Sequence, residues 1–146
     1  ELCDQGLEFD EICERAAAYR DRMNTYFVLE SLDTLKKNGR LTGLQAFFAT
    51  KLNIKPVMGA DNGTIIKLDQ ARGIQKALQR MAEIAVKEAG TTKDKRLVIA
   101  HCNAPERARF MKEKLCSMAE FKEVVITDTC GVSTVYASDG GVILAL

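Results

Sequence analysis

Apolar residues recur along the chain with two different periods. Three segments place them three or four positions apart, which predicts amphipathic helices, and four short apolar runs predict buried strands. The helical segments are 9–20, 73–89 and 105–118, and the strand segments are 26–29, 97–101, 124–126 and 141–146. Because strands and helices alternate, we expect an α/β fold, with helices packed on a mixed sheet and right-handed crossovers between parallel neighbours.

Two further apolar runs flank an Asn-Gly dipeptide. Residues 53–61 and 64–72 lie on either side of Asn62-Gly63, the strongest short signal for an antiparallel hairpin. Pro56 lacks a backbone N–H, so its strand is expected to be an edge strand or to carry a bulge.

Two shorter helices are predicted ahead of this hairpin. Ser31 is a suitable N-cap, and Asn38-Gly39 follows two lysines at the expected end of the first helix. Arg40 therefore lies just past a helix end. The second helix runs from about Gly43 to Lys51 and carries an apolar stripe. The stripe consists of Leu44, Phe47, Phe48 and Leu52. By itself such a stripe is more typical of a packed core than of a ligand site.

The charge composition excludes some classes of partner. Lysine and arginine number 21 against 20 acidic residues, with a formal net charge of +1. Binding to nucleic acid or to an acidic lipid surface through net charge is therefore not expected. The apolar runs are much shorter than the ~20 residues that span a bilayer, so we expect no stable membrane insertion. The five cysteines show no CxxC spacing and no histidine cluster, which predicts neither a disulfide framework nor a metal site. We expect a soluble, cytoplasmic protein without a cofactor.

Arg72 and Lys76 lie four residues apart at the start of the predicted helix 73–89. The helix macrodipole disfavours cations there, and an anion bound to the free N–H groups would compensate for it. The pair therefore suits a phosphate or an acidic partner, although two solvated charges neutralised by Asp69 are an alternative. Neither GxGxxG nor GxxxxGK[ST] occurs, so nucleotide binding is not expected.

Hydroxyl-bearing residues and glycines are concentrated at 129–141, directly after a strand and in a loop or a short helix. Tyr136 combines an O–H donor with an apolar ring, which suits the boundary between a polar head and a hydrocarbon tail, but also a packed turn. Asn103 is the expected N-cap of the helix that begins near Pro105. His101 ends a strand without an accompanying nucleophile motif, so we expect a structural, hydrogen-bonded histidine.

Five ordered motifs extend over nearly the whole chain. They are L-x-x-L-K-K-x-G-R-L at 32–41, L-N-I-K-P-V at 52–57, R-G-x-x-K-A at 72–77, I-A-H at 99–101 and Y-A-x-D-G-G at 136–141. In this order they resemble the DegV family of bacterial fatty-acid-binding proteins, which includes the FakB type. The resemblance implies a two-domain protein that holds one long-chain fatty acid between its domains. Residues 1–146 resemble the C-terminal, lipid-binding domain alone, with the N-terminal domain absent from this chain.

The resemblance also implies roles for particular residues. Arg40 matches an arginine that joins the hydrogen-bond network of the carboxylate, and Tyr136 stands where many members have histidine. The implied lipid-binding residues are Arg40, Leu44, Phe47, Phe48, Ile54 and Tyr136. Arg72, with Lys76, matches the basic position that docks the ATP-binding subunit of a fatty acid kinase. That partner phosphorylates the acid, so this chain is expected to be a binding subunit with no catalytic residue.

Two functions of other classes stay open. In a phosphate-handling enzyme domain, Arg72, Lys76 and the segment 133–138 would bind the phosphate and His101 would act as the base. The other is a pure interaction module without a ligand, which an apolar cavity would argue against.

Overall fold

The computed structural model of the chain describes residues 1–41, 53–61 and 63–146. In these ranges the strands are β1 Thr25–Val28, β2 Ile54–Asp61, β3 Thr64–Arg72, β4 Arg96–His101, β5 Glu123–Asp128 and β6 Val142–Ala145. The helices are α1 Phe9–Arg20, α2 Asp33–Lys37, α3 Ile74–Ala89, α4 Pro105–Met118 and α5 Gly131–Ala137, and a 3₁₀ turn spans Cys3–Gln5. The segment 129–137 thus contains a short helix. The helix expected from about Gly43 to Lys51 lies outside the described residues.

The strands form one mixed sheet in the order β3-β2-β1-β6-β4-β5. β4 and β5 run parallel and are joined through α4, whereas the other neighbouring strands of the described sheet are antiparallel. β6, the last strand in the chain, lies between β1 and β4 and joins the two halves of the sheet. The expected α/β fold with a mixed sheet is confirmed.

The β2–β3 hairpin forms as predicted, with Asp61 opposite Thr64. Its register shifts between Val57 and Met58, so the bulge expected near Pro56 is present. β2 is nevertheless an inner strand and not an edge strand. Its recorded pairing with β1 involves Met58 and Gly59, so Pro56 lies beyond that ladder, where its missing N–H is tolerated.

Two predicted helix starts differ slightly from the structure. α2 begins at Asp33, whose N–H donates to the Ser31 side-chain oxygen at 3.1 Å, so Ser31 supplies a cap from one residue further out. The N-cap of α4 is Ala104 and not Asn103. Asn103 has a left-handed backbone with φ 49°, and its side-chain amide donates to Asp139 instead, at 2.8 Å. The amide is therefore used to hold a loop.

The main core lies between one face of the sheet and the two helices α3 and α4. Alternate strand residues such as Tyr26, Val28 and Leu144 meet the buried face of α3, which includes Leu78 and Met81. The opposite face of the sheet packs a second cluster under the short helices α2 and α5. Its buried members are Leu29, Leu35, Leu41, Met58, Cys102 and Ala137. The two faces therefore differ in how they are covered.

α1 is helical as predicted, but its apolar stripe is not buried. No residue of this helix is buried, and Phe9 is 75% exposed. The apolar residues of α1 therefore do not pack into the core formed by the described residues. Among the described helices, none has the length and apolar character needed to cross a membrane.

The placement of α3 in the main core leads to a stability prediction. Met81 has 0% of its surface exposed, so Met81→Ala should lower the free energy of unfolding by about 2–5 kcal/mol through lost burial and a residual cavity. Met118 on α4 is 37% exposed, and Met118→Ala should cost less than about 1 kcal/mol. Urea denaturation of both variants checks this, and equal losses would contradict the placement.

Candidate functional site

Arg40 and Tyr136, far apart in sequence, line one groove on the second face of the sheet. We call it the Arg40 groove. It has a volume of about 480 Å³ and is bounded by the end of α2, the β2–β3 turn and α5. Its described lining residues are Leu35, Gly39, Arg40, Gly63, Thr64, Ile65 and Tyr136.

The end of α2 determines where Arg40 lies. Gly39 adopts φ 67°, a left-handed conformation that favours glycine, and the Arg40 N–H donates to the Leu35 carbonyl at 2.9 Å. This closes the helix in the manner of a Schellman motif. Leu35 and Leu41 are both buried, whereas Arg40 between them is exposed. The two leucines anchor the backbone on either side of an accessible guanidinium group.

Tyr136 reaches the same groove from α5. It is half-buried and packs against the second cluster, and the next residue, Ala137, is fully within that cluster. The start of α5 is held by reciprocal bonds, since the Cys130 N–H donates to the Ser133 hydroxyl at 3.2 Å and the Cys130 side chain accepts from the Ser133 N–H. The phenol therefore stands at an edge where apolar surface meets a charged side chain.

The chemistry of the Arg40 groove suits an anion attached to an apolar group. Among its described lining residues, Arg40 carries the formal charge, and Thr64 and Tyr136 add hydroxyl groups. Ile65 and Leu35 supply apolar surface, and Ile65 belongs to the same cluster as the half-buried Phe27. A guanidinium group with nearby hydroxyls can bind a carboxylate by charge-assisted hydrogen bonds.

The other residues of the predicted lipid site are either undescribed or lie elsewhere. Leu44, Phe47 and Phe48 lie outside the described residues. Ile54 is half-buried at the start of β2, opposite Arg72, and is not among the described residues that line the Arg40 groove. Conversely, Thr64 and Ile65 line the groove although sequence reasoning did not select them. The sequence places Thr64 and Ile65 beside the predicted Asn-Gly turn, but it does not show that this turn lies close to Arg40.

Arg72 and Lys76 line a second groove of about 580 Å³, which we call the Arg72 groove. It lies at the start of α3, where the N-cap is Gly73 at φ 82°, which has no side chain to cap the helix, and the first turn contains no acidic residue. Its described lining residues are Glu30, Asn53, Lys55, Arg72, Gly73, Ile74, Gln75, Lys76, Glu106 and Arg107. Four cations and two carboxylates give this lining a net positive charge, which suits an anionic partner.

One alternative was that Asp69 neutralises Arg72 and Lys76. The structure does not support this alternative. The Asp69 carboxylate pairs with Arg80 at 2.6 Å. The Gln70 backbone N–H, followed by Arg80, holds the pKa of Asp69 below its ordinary value. Asp69 is therefore engaged with a different cation.

A charged cluster that the sequence did not predict lies in the wall of the Arg72 groove. The Glu30 carboxylate contacts Lys55 Nζ at 2.5 Å and Arg107 Nη2 at 2.6 Å. Partial burial opposes the ionisation of Glu30, but hydrogen bonds from Lys55 and Arg107 outweigh it and lower its pKa. The only hint of this cluster in the sequence is Lys55, a charged residue within the apolar run 53–58. No local pattern connects Lys55 to Arg107.

His101 is buried, with 6% of its surface exposed, and lines neither groove. Its Nδ1 lies 3.4 Å from the Ala104 nitrogen and 3.3 Å from an Asp128 carboxylate oxygen. This is the structural role expected of a strand-end histidine. The geometry does not support the alternative in which His101 acts as a base beside Arg72 and Lys76. The described part of the chain also contains no group of three potential His, Cys, Asp or Glu ligands suited to a metal ion.

Three comparisons extend this picture to other proteins. A DegV domain-containing protein of Streptococcus pneumoniae is 34% identical over 145 residues, which are 99% of this chain and 51% of that protein. The crystal structure of a DegV family protein from Ruminococcus gnavus, refined with vaccenic acid, has a TM-score of 0.93 and 45% identity and covers 99% of this chain and 52% of that one. The Fatty Acid Kinase (Fak) B3 protein of S. pneumoniae, loaded with linoleic acid, has a TM-score of 0.84 and 34% identity, over 99% of this chain and 51% of that one.

These similarities agree with the ordered motifs and with the sheet topology. The chain spans about half the length of the relatives that it matches. The sequence model of the family described as "Uncharacterised protein, DegV family" matches residues 1–145, which is nearly the whole chain. The chain therefore belongs to the DegV family.

Proposed function

We propose that this chain binds a long-chain fatty acid and that the Arg40 groove receives the carboxylate. The observation that carries the proposal is the convergence of Arg40 and Tyr136 on one groove beside an apolar cluster. Arg40 provides the charge, and the hydroxyls of Thr64 and Tyr136 provide further hydrogen-bond partners. A fatty acid needs the same combination of a fixed anion site and adjoining apolar surface.

Half-buried apolar residues on the second face of the sheet provide a surface for the acyl chain, next to the proposed carboxylate site. Phe27 is opposite both Met58 and Ile143 in the sheet, and all three belong to the second cluster. An acyl chain lying over this face would remove apolar surface from water, which contributes about 25 cal/mol per Å². Leu44, Phe47, Phe48 and Ile54 stay in the proposal as further acyl contacts.

The relatives support this choice of ligand. The R. gnavus protein contains vaccenic acid and the S. pneumoniae Fak B3 protein contains linoleic acid, and both chains are about twice as long as this one. We propose that residues 1–146 are the C-terminal lipid-binding domain. A second domain of the complete protein would then close over the acyl chain and add hydroxyl groups around the carboxylate. Alone, residues 1–146 should bind fatty acid poorly.

The Arg72 groove is proposed as the docking surface for the ATP-binding subunit of a fatty acid kinase. Arg72 and Lys76 stand at the start of α3, where the N-cap is a glycine and an acidic partner group would also meet the backbone N–H groups of the first turn. In this scheme the present protein is the binding subunit and its partner transfers the phosphate. Tyr136 in place of histidine retains a hydrogen-bond donor beside the carboxylate.

The proposed ligand can be identified directly. The complete gene product, purified without detergent and extracted with organic solvent, should yield a long-chain fatty acid by mass spectrometry at close to one per protein. A protein shown to be folded that yields no lipid, and that binds none when vaccenic or linoleic acid is added, would contradict the function.

Arg40 is predicted to anchor the carboxylate. In the complete gene product Arg40→Ala should weaken fatty acid binding by about 1.5–3 kcal/mol, the range for a charged hydrogen bond, or about 10–150-fold in affinity. The matched control is Arg109→Ala, because Arg109 is exposed on α4 and is not among the described residues lining either groove. A calorimetric titration in which both variants bind like the natural protein would refute the role of Arg40.

Arg72 is predicted to act on the partner and not on the lipid. Arg72→Glu replaces a positive charge in the Arg72 groove by a negative one, and it should slow kinase-dependent formation of acyl phosphate at least about tenfold. Fatty acid affinity should stay within about twofold, because Arg72 does not line the Arg40 groove. Arg109→Glu supplies the control for charge reversal. A parallel loss of lipid affinity, or undiminished acyl phosphate formation, would count against separate roles for the grooves.

A further inference from the structure

We propose that Arg107 is a positioning residue for the lipid head group. It holds the loop 138–141 that follows α5 and so sets the position of Tyr136 in the Arg40 groove. This inference rests on the proposed binding of a fatty acid carboxylate in that groove. Arg107 itself lines the Arg72 groove and acts on the head group only through the loop.

The guanidinium group of Arg107 joins two separate parts of the chain. Its Nη1 donates to the Gly140 carbonyl and its Nη2 to the Glu30 carboxylate, each at 2.6 Å. Glu30 is fixed in turn by Lys55, whose Nζ contacts the carboxylate at 2.5 Å and donates to the Glu30 backbone carbonyl at 2.7 Å. The side chains of Arg107, Glu30 and Lys55 are 26%, 34% and 17% exposed, so water weakens these bonds less than those of a surface ion pair.

The loop is packed closely against this cluster. Gly140 is buried with φ 83°, and a Cβ placed there would lie 2.6 Å from Arg107 Nη1 and 2.9 Å from Glu30 Cγ. The Gly140 N–H donates to the Cys102 carbonyl at 2.8 Å, so the loop is also tied to the end of β4. A Cβ at Gly141 would lie 2.4 Å from the Ala137 carbonyl oxygen, which shows that the loop touches the last turn of α5. Arg107 therefore contacts a segment with little room to move.

α5 buries little of its own surface, so the segments at its two ends help to position it. It has seven residues, and among them only Ala137 is buried, while Val132 and Val135 are exposed. Its start follows Thr129, whose N–H donates to the His101 carbonyl at 2.8 Å, and its end leads within three residues to Gly140. Tyr136 lies in the last turn. Loss of the Arg107 bond at one end should therefore change the orientation of the phenol while the bond at the other end stays intact.

The shape of the arginine side chain matters for this function. A guanidinium group presents several N–H donors in a fixed plane and can bind two acceptors at a set separation. Lysine has one compact ammonium group and cannot reproduce both bonds with the same geometry. We therefore expect Arg107→Lys to retain part of the effect and Arg107→Gln to lose more of it.

The test measures recognition of the head group separately from general binding. In the complete gene product, the affinities for linoleic acid and for methyl linoleate give an acid-to-ester ratio. Arg107→Gln should lower this ratio at least about fivefold and Arg107→Lys by less, whereas Arg109→Gln and Arg109→Lys should leave it unchanged. If Arg107→Gln does not fold, the acid-to-ester ratio of Arg107→Lys is compared with that of Arg109→Lys, and a lower ratio for Arg107→Lys is expected. A reduced melting temperature with an unchanged ratio would show a purely structural role and overturn the inference.

A double-mutant cycle tests the route through Tyr136. Tyr136→Phe removes the phenol hydroxyl, so adding Arg107→Gln to that variant should change the acid-to-ester ratio by less than about twofold. A full fivefold effect in the Tyr136→Phe background would show that Arg107 acts by another route and would overturn the inference. If the natural protein binds neither linoleic acid nor its ester, the proposed function itself fails, which is a distinct result.

Discussion

The packing of α3 and α4 against one face of the sheet is the constraint on which the rest of the structure depends. Because side chains alternate along a strand, Tyr26 and Val28 serve that core while Phe27 faces the other side. Among the described elements, the short helices α2 and α5 pack on the opposite face, and Arg40 and Tyr136 lie near their ends. The Arg40 groove thus lies on this second face, beside half-buried apolar residues.

The two grooves differ in their charge. Glu30 shares its carboxylate between Lys55 and Arg107, so two cations are partly neutralised within the wall of the Arg72 groove. By contrast, neither Arg72 nor Lys76 takes part in the salt bridges formed among the described residues. On the proposed function, the lipid head meets one guanidinium beside hydroxyl groups, and the partner meets a broader basic surface. The same cluster contacts Gly140 in the loop that follows α5, so it is linked through this loop to the helix that carries Tyr136.

Local sequence signals predicted the elements well, because each depends on neighbouring residues. The Asn-Gly hairpin and the long apolar face of α3 are examples. Predictions were wrong where a residue has a competing partner: Asn103 does not cap α4 because its amide binds Asp139. The contact of Glu30 with Arg107 spans 77 residues and leaves no periodic signal in the sequence. Arg40 and Tyr136 line one groove, and only the family resemblance, not their spacing, led us to expect them at the same site.

The central claim is that the lipid carboxylate and the partner use different grooves of one domain. A crystal structure of the complete gene product with linoleic acid tests it most directly. The account predicts a carboxylate oxygen within hydrogen-bond distance, about 2.7–3.0 Å, of the Arg40 guanidinium and near the Tyr136 hydroxyl, with the acyl chain over the face that holds Phe27. A carboxylate bound beside Arg72 and Lys76, or an acyl chain remote from the second face of the sheet, would contradict it.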